Sequence, residues 1–286
     1  MKISGHTKVI AIFGDPVEHT LSPAMHNAAF DALGMDCVYV PFHVRPNGLK
    51  GAVSGLRAMG FAGANITVPH KERVIEFLDE VDEEARLLGA VNTIVNRGGI
   101  LTGYNTDGRG FVKSLKDDAK FDPKGKKAFI CGAGGAARGI AFALVNAGSG
   151  PVFLYDVDGP KRDKLVLDLN TALKKDAARA EPLDADFIRS CALVMNATPI
   201  GMHEGDPLPF PADSFKKGQM FYDVIYNPPK TAAMAAAEGA GARVLNGLGM
   251  LLHQGVIAFE HWFDVTPPAE AMREALKLGL GSIKKN

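Results

Sequence analysis

Two short segments, NITVPHK (Asn65 to Lys71) and GYNTDG (Gly103 to Gly108), set one lysine and one aspartate among amide and hydroxyl side chains. Reduction of a ketone on a polyhydroxylated acid asks for that mixture. Several neutral hydrogen-bonding side chains fix the hydroxyls, and one group hands a proton to the ketone oxygen. Asn65, Thr67, Asn92, Asn105 and Thr106 have the chemistry for the first task, and Lys71 or Asp107 for the second. His19 and His26 lack the carboxylate or cysteine cluster that would complete a metal site, so they read as ordinary hydrogen-bonded histidines and no metal is needed.

The elements that must carry these residues follow from hydrophobic periodicity. Short apolar runs alternate with helical patterns: VIAIFG, a helix near Pro23 to Leu33, VYVPFHV, a helix near Leu49 to Met59, GANITV, then a helix from about His70 to Phe77. Such alternation predicts a largely parallel sheet. NTIVN and ILTGYN flank Gly98-Gly99 and read as a hairpin. The acidic stretch LDEVDEEAR reads as a solvated helix face.

A second unit begins after the charged, Pro- and Gly-broken stretch KDDAKFDPKGK. Its opening, KKAFICGAGGAARG, is an apolar strand, a glycine-rich turn and an alanine-rich helix. The spacing is a variant of the dinucleotide fingerprint. Gly132 permits the tight turn, Gly134 lets amides approach a pyrophosphate, and Ala137 allows close packing of helix on strand. Gly135 and Ala136 complete the turn, and the N-terminus of the alanine-rich helix that follows favours an anion. Strands are expected at VFLYD, ALVMNAT and MFYDVIY, with helices over Gly159 to Lys174, Leu248 to Phe263 and Pro267 to Leu278. Asp156 closes the strand VFLYD, where an acidic side chain commonly bonds the adenosine ribose and disfavours a 2'-phosphate. That argues for NAD, with Lys161 and Arg162 close by as a counterweight.

Composition narrows the partner. The 286 residues suit two domains, and Lys plus Arg equals Asp plus Glu at 32 each, so no global field favours nucleic acid or a membrane surface. A small-molecule partner fits. The apolar stretch Val9 to Phe13 is too short for a signal sequence. No apolar run approaches the roughly 20 residues that span a bilayer. Cys37, Cys131 and Cys191 form no CxxC pair, which points to a reducing cytoplasm.

Eight segments together resemble the shikimate dehydrogenase family: GDPVEHTLSPAMHNAAF (14 to 30), NITVPHK, GAVNT (89 to 93), GYNTDG, GAGGAARG (132 to 139), NATPIGM (196 to 202), DVIYNPPKT (223 to 231) and NGLGMLLHQ (246 to 254). They run in order across nearly the whole chain. The resemblance implies a two-domain α/β protein. An N-terminal, mainly parallel α/β substrate domain covers 1–109 and is completed by C-terminal helices in 247–286. A Rossmann dinucleotide-binding domain covers 110–246. Thr20 and Ser22 would hold the substrate carboxylate, Thr67, Asn92 and Gln254 its hydroxyls, with Tyr226 a further contact. Lys71 and Asp107 would be the catalytic pair. Cofactor contacts would come from Gly132, Ala133, Gly134, Gly135, Ala136, Asp156, Thr198, Met202, Val224, Gly247 and Met250.

The implied reaction is the reversible reduction of 3-dehydroshikimate to shikimate with NADP, the family default, or with NAD. The family commonly has serine where this chain has Thr20. Asp156, Val157 and Asp158 stand where NADP-using members usually carry Asn-Arg-Thr. A quinate or dual quinate/shikimate dehydrogenase using NAD is the alternative, and a catalytically silent dinucleotide-binding sensor is the rival of another class. A monomer and a homodimer are both compatible with the sequence.

Overall fold

The computed structural model describes residues 3–283; residues 1, 2 and 284–286, which the sequence reading assigns to the first domain, lie outside the described residues. The chain divides into two compact units, one formed by residues 1–106 and 251–286, the other by 107–250.

In the first unit the elements run β1 (Lys8–Gly14), α1 (Ser22–Leu33), β2 (Cys37–His43), α2 (Leu49–Ala58), β3 (Gly63–Ile66), β4 (Glu80–Val81), α3 (Glu83–Leu88), β5 (Thr93–Arg97) and β6 (Ile100–Tyr104). The strands form one sheet in the order β2-β1-β3-β5-β6-β4. β1 pairs in parallel with β2 and β3, while β5 is antiparallel to both its neighbours. Ile10, Ala11, Ile12 and Phe13 are buried in succession on β1, as expected of a parallel strand covered on both faces. The antiparallel exception is the expected hairpin, whose turn residues Gly98 and Gly99 have φ of 60° and 93°. That left-handed conformation costs glycine nothing.

Two expectations change here. The helix placed over His70 to Phe77 is a single 3₁₀ turn, Arg73–Phe77, because Val74 and Ile75 are β-branched, which lowers helix propensity, and Leu78 is already extended. The acidic segment is only partly helical. Glu80 and Val81 join β6 as a short edge strand, and Asp82 caps the helix that follows by accepting from the Glu84 amide.

The second unit contains α4 (Asp107–Asp117), β7 (Ala128–Cys131), α5 (Gly135–Asn146), β8 (Val152–Tyr155), α6 (Gly159–Leu173), β9 (Ala178–Ala180), α7 (Ala185–Ser190), β10 (Leu193–Asn196), β11 (Met220–Asp223), α8 (Ala232–Gly239) and β12 (Arg243–Leu245). Its six strands pair in parallel in the order β12-β11-β10-β7-β8-β9. The order reverses between β7 and β10, which is the topological switch point of a doubly wound Rossmann sheet. One face of that sheet buries Phe129, Phe153, Val194, Phe210, Phe215 and Phe221.

Helix α9 (Leu248–Phe263) begins in the second unit and continues into the first, where α10 (Ala269–Ile283) follows it. Cys37, Cys131 and Cys191 are buried free thiols. Among the described residues no helix is long and apolar enough to cross a membrane.

Candidate active site

In the first unit the segment after β3 is held by backbone bonds to distant parts of the chain. The Thr67 amide donates to Phe13 O at 3.0 Å, the Asp15 amide to Val68 O at 3.0 Å, and the Val91 amide to Lys71 O at 2.8 Å. His70 is buried, with its Nε2 2.6 Å from Val44 O, so it anchors the segment. Thr67 and Lys71 are thereby presented at the C-terminal edge of the parallel strands, where ligands of α/β sheets bind.

Thr20 lies in the loop between β1 and α1. Its hydroxyl accepts from the Ser22 amide at 3.3 Å. Ser22 does not cap α1: Leu21 is the N-cap and makes no side-chain bond, and Ser22 is already the first helical residue. The buried Ser22 hydroxyl instead bonds the Tyr39 phenol oxygen. Asn65, Asn92, Thr106 and Gln254 are buried in one hydrogen-bonded network, and Asn105 donates to Ala90 O at 2.9 Å. His26, expected to be hydrogen-bonded, is not. Both its ring nitrogens are buried without a partner, and its ring stacks 4.5 Å from that of Tyr39.

In the second unit Asp107 is the buried first residue of α4. The loop from β7 to α5 has the geometry of a phosphate cradle. Gly132 has φ +114°, and a Cβ there would lie 2.7 Å from Ala197 O, so β7 and β10 meet through bare backbone. A Cβ on Gly134 or Gly135 would meet nothing within 4 Å, which leaves room for a ligand. Gly134 is the N-cap of α5 without a side-chain bond, and no acidic residue sits in the first turn. The first-turn amides of that helix therefore suit an anion. These residues fit the pyrophosphate of a dinucleotide.

Asp156 braces this loop. One carboxylate oxygen accepts the Ala133 amide at 2.7 Å and the other the Asp158 amide at 2.9 Å. Asp158 caps α6 through the Lys161 amide at 3.1 Å, which puts Lys161 and Arg162 in the first turn.

Thr198 donates to Asn196 Oδ1 at 2.7 Å, and Asn196 Nδ2 donates to Asp223 Oδ1 at 3.1 Å. Thr231 bonds the other Asp223 oxygen at 2.7 Å, and burial raises the Asp223 carboxyl above its ordinary pKa. This set of four side chains ties together the loops after β10 and β11 that carry Thr198, Met202, Val224 and Tyr226. Met202 borders a cavity of about 430 Å³ that Asn227, Lys230 and Thr231 also line. A Cβ on Gly247 would come 2.0 Å from Val224 O, so only glycine fits there. The Met250 amide donates to the Tyr222 hydroxyl at 3.2 Å. Burial also raises the Tyr226 phenol above its usual pKa.

Sequence reasoning missed Tyr39, Thr93 and Asp223. Each was visible only as one residue of a strand, although Thr93 closes the segment GAVNT and Asp223 opens the segment DVIYNPPKT.

Comparison with known proteins agrees with this geometry. Residues 12–94 match the family model of the shikimate dehydrogenase substrate binding domain, and residues 247–277 that of the shikimate 5'-dehydrogenase C-terminal domain. A curated relative from Desulforamulus reducens, named shikimate dehydrogenase (NADP(+)), is 45% identical over 280 residues covering 96% of each chain. Among solved structures, shikimate 5-dehydrogenase from Listeria monocytogenes in complex with shikimate and NAD has a TM-score of 0.90 at 39% identity, covering 96% of this chain and 98% of that one. The Thermus thermophilus enzyme in complex with NADP(H) and shikimate has a TM-score of 0.87 at 35% identity, covering 95% and 99%. With identity of this extent over nearly the full length, and with the glycine cradle and the polar array both in place, the chain belongs to the shikimate dehydrogenase family.

Proposed function

We propose that the protein is a shikimate dehydrogenase that interconverts shikimate and 3-dehydroshikimate with NADP, a step of aromatic amino acid biosynthesis. The observation that carries this reading is the buried amide and hydroxyl array of the first unit beside Lys71, in a chain 45% identical to a curated shikimate dehydrogenase. Bound NADP(H) supplies or takes up the hydride at C3. Lys71 gives a proton to the ketone oxygen in reduction and recovers it from the hydroxyl in oxidation. Its ammonium also stabilises the developing alkoxide. Asp107 orients the lysine and accepts from the substrate hydroxyl. Thr20 and Ser22 bond the carboxylate, and Thr67, Asn92, Gln254 and Tyr226 bond the ring hydroxyls.

On the cofactor side the amides from Gly132 to Ala136 hold the pyrophosphate. Thr198, Met202, Val224, Gly247 and Met250 line the nicotinamide end. The Asp156 carboxylate already accepts two backbone amides, which draws off part of its charge, while Lys161 and Arg162 in the first turn of α6 attract a 2'-phosphate. The enzyme works in the cytoplasm on a small-molecule substrate, as a monomer or a homodimer, with no nucleic acid or membrane as partner.

The test is a set of initial rates for shikimate and quinate oxidation, each with NAD and with NADP, reported as four specificity constants. The expected result is a dominant shikimate and NADP value. Dominant NAD-linked turnover of quinate would overturn the reading. In the same assay Asp156→Asn, which removes one negative charge beside the expected 2'-phosphate, is expected to raise the NADP to NAD ratio by roughly tenfold.

A further inference from the structure

Six side chains buried in the first unit form one hydrogen-bonded chain. Tyr39 Oη lies 2.7 Å from Asn65 Oδ1, Asn65 Nδ2 is 3.1 Å from Thr93 Oγ1, and Thr93 Oγ1 is 2.9 Å from Asn92 Oδ1. Asn92 Nδ2 is 3.0 Å from Thr106 Oγ1, which is 3.4 Å from Gln254 Oε1. Two of these residues, Tyr39 and Thr93, have no role in either the sequence analysis or the proposed function.

Backbone groups, which only donate or only accept, settle the orientation of each amide in the chain. Asn65 Nδ2 also donates to Asn92 O at 3.1 Å, so its amide oxygen faces Tyr39 and the phenol must donate to it. The Thr106 amide donates to Asn92 Oδ1 at 2.9 Å. The Thr93 hydroxyl therefore accepts from Asn65 and donates to Asn92, filling both lone pairs of that amide oxygen. Gln254 Nε2 donates to Leu251 O at 2.9 Å, so Gln254 Oε1 is turned toward Thr106 Oγ1 and Asn92 Nδ2, each 3.4 Å away, and accepts from that side. The chain has one polarity from Tyr39 to Gln254.

That polarity decides what the ends offer a ligand. Tyr39 spends its proton on Asn65 and accepts from Ser22, so Ser22 can turn its O–H to a carboxylate without breaking the chain. Gln254 gives one Nε2 hydrogen to Leu251 and keeps a second for a hydroxyl oxygen. Tyr39 is itself immobilised: Asn27 bonds both its amide, at 2.8 Å, and its carbonyl, at 3.0 Å, and the ring stacks on His26.

We propose that Tyr39 and Thr93 are positioning residues of the substrate site, whose hydroxyls set the amide orientations of Asn65 and Asn92 and so fix which donors meet the carboxylate and the hydroxyls of the ligand. The assignment rests on the shikimate dehydrogenase reading. It is tested with Tyr39→Phe and Thr93→Val, which delete one hydroxyl each and keep the shape, and with Thr93→Ser, which restores the hydroxyl.

Each deletion is expected to raise the shikimate KM about tenfold, and to raise in parallel the shikimate Kd read from fluorescence of Trp262, the single tryptophan. NADP KM is expected to stay within about twofold and Thr93→Ser within about threefold of the parent. Deletion variants that lower the melting temperature while leaving shikimate KM and Kd unchanged overturn the proposal, as does an equal rise in the NADP KM. A parent protein that does not oxidise shikimate overturns the functional reading and the proposal with it; a parent that does, with indifferent variants, overturns the proposal alone.

Discussion

Lys71 is the residue proposed to act by chemistry, and His26 acts by burial. If Lys71 transfers the proton, its removal costs far more at the transition state than in the bound ground state. Lys71→Ala is expected to lower kcat by about 10²- to 10⁴-fold with a much smaller change in shikimate KM; loss of binding with kcat retained would count against the role. His26 is enclosed by Tyr39, Phe259 and Trp262, and burial lowers its pKa from 6.5 to about 3. The folded pKa is below the unfolded one, so the unfolded chain takes up this proton first as the pH falls. The stability held above pH 6.5 is lost progressively between pH 6.5 and 3, on the order of 5 kcal/mol in full. His26→Phe is expected to flatten denaturant-derived stability over that range. An unchanged acid slope would show that other groups govern it.

Among the elements, α4 and α5 are positioned by a glycine contact. A Cβ on Gly108 would lie 2.5 Å from Gly139 O and 2.8 Å from Ala143 Cβ, whereas a Cβ on Gly139 would meet its nearest neighbours at 3.8 and 3.9 Å. Asp107 immediately precedes the tight side of that contact. Gly108→Ala is therefore expected to cost about 1–3 kcal/mol of stability and to lower kcat by at least about tenfold, by moving the head of α4. Gly139→Ala serves as the tolerated control. Thermal melts and steady-state rates of both variants decide the matter, and equal behaviour would refute the packing argument.

On the scale of the whole molecule, the first unit is interrupted by the second and completed by α9 and α10. Trp262 Nε1 donates to Ile94 O at 2.9 Å, and Phe259 packs against Phe30 at 5.3 Å. A chain ending at Met250 lacks that aromatic cover and Gln254, yet contains all of the second unit. It is expected to retain NADP binding and to lose shikimate binding. The protease-resistant core should shrink to the second unit. Calorimetric titration with each ligand and limited proteolysis check this, and retained shikimate binding would show that the closing helices are dispensable.

Features with a local physical cause were legible in the sequence. The turn at Gly98-Gly99, the cradle from Gly132 to Ala136 and the alternation of strands with helices depend on backbone freedom and periodicity within a few neighbouring residues. The family segments likewise singled out Lys71 and Asp107 by residue type, and their catalytic roles are the proposal the variants above test. What escaped was decided by partners far away in sequence. The edge strands β4, β9 and β12 have two or three residues each, too few for a pattern, and exist because a neighbouring strand offers unpaired backbone groups. Asp156 read as a ribose ligand, but whether its carboxylate also meets the Ala133 amide depends on how β7 and β8 align. Tyr39 and Thr93 read as strand residues, and only the pairing of β1 with β2 and β3, and of β3 with β5, aligns their hydroxyls with the two asparagines. Sequence by itself determined which groups are available; tertiary structure decided which way their protons point, because a hydrogen bond's direction is set by the partner opposite and not by the residue that carries it.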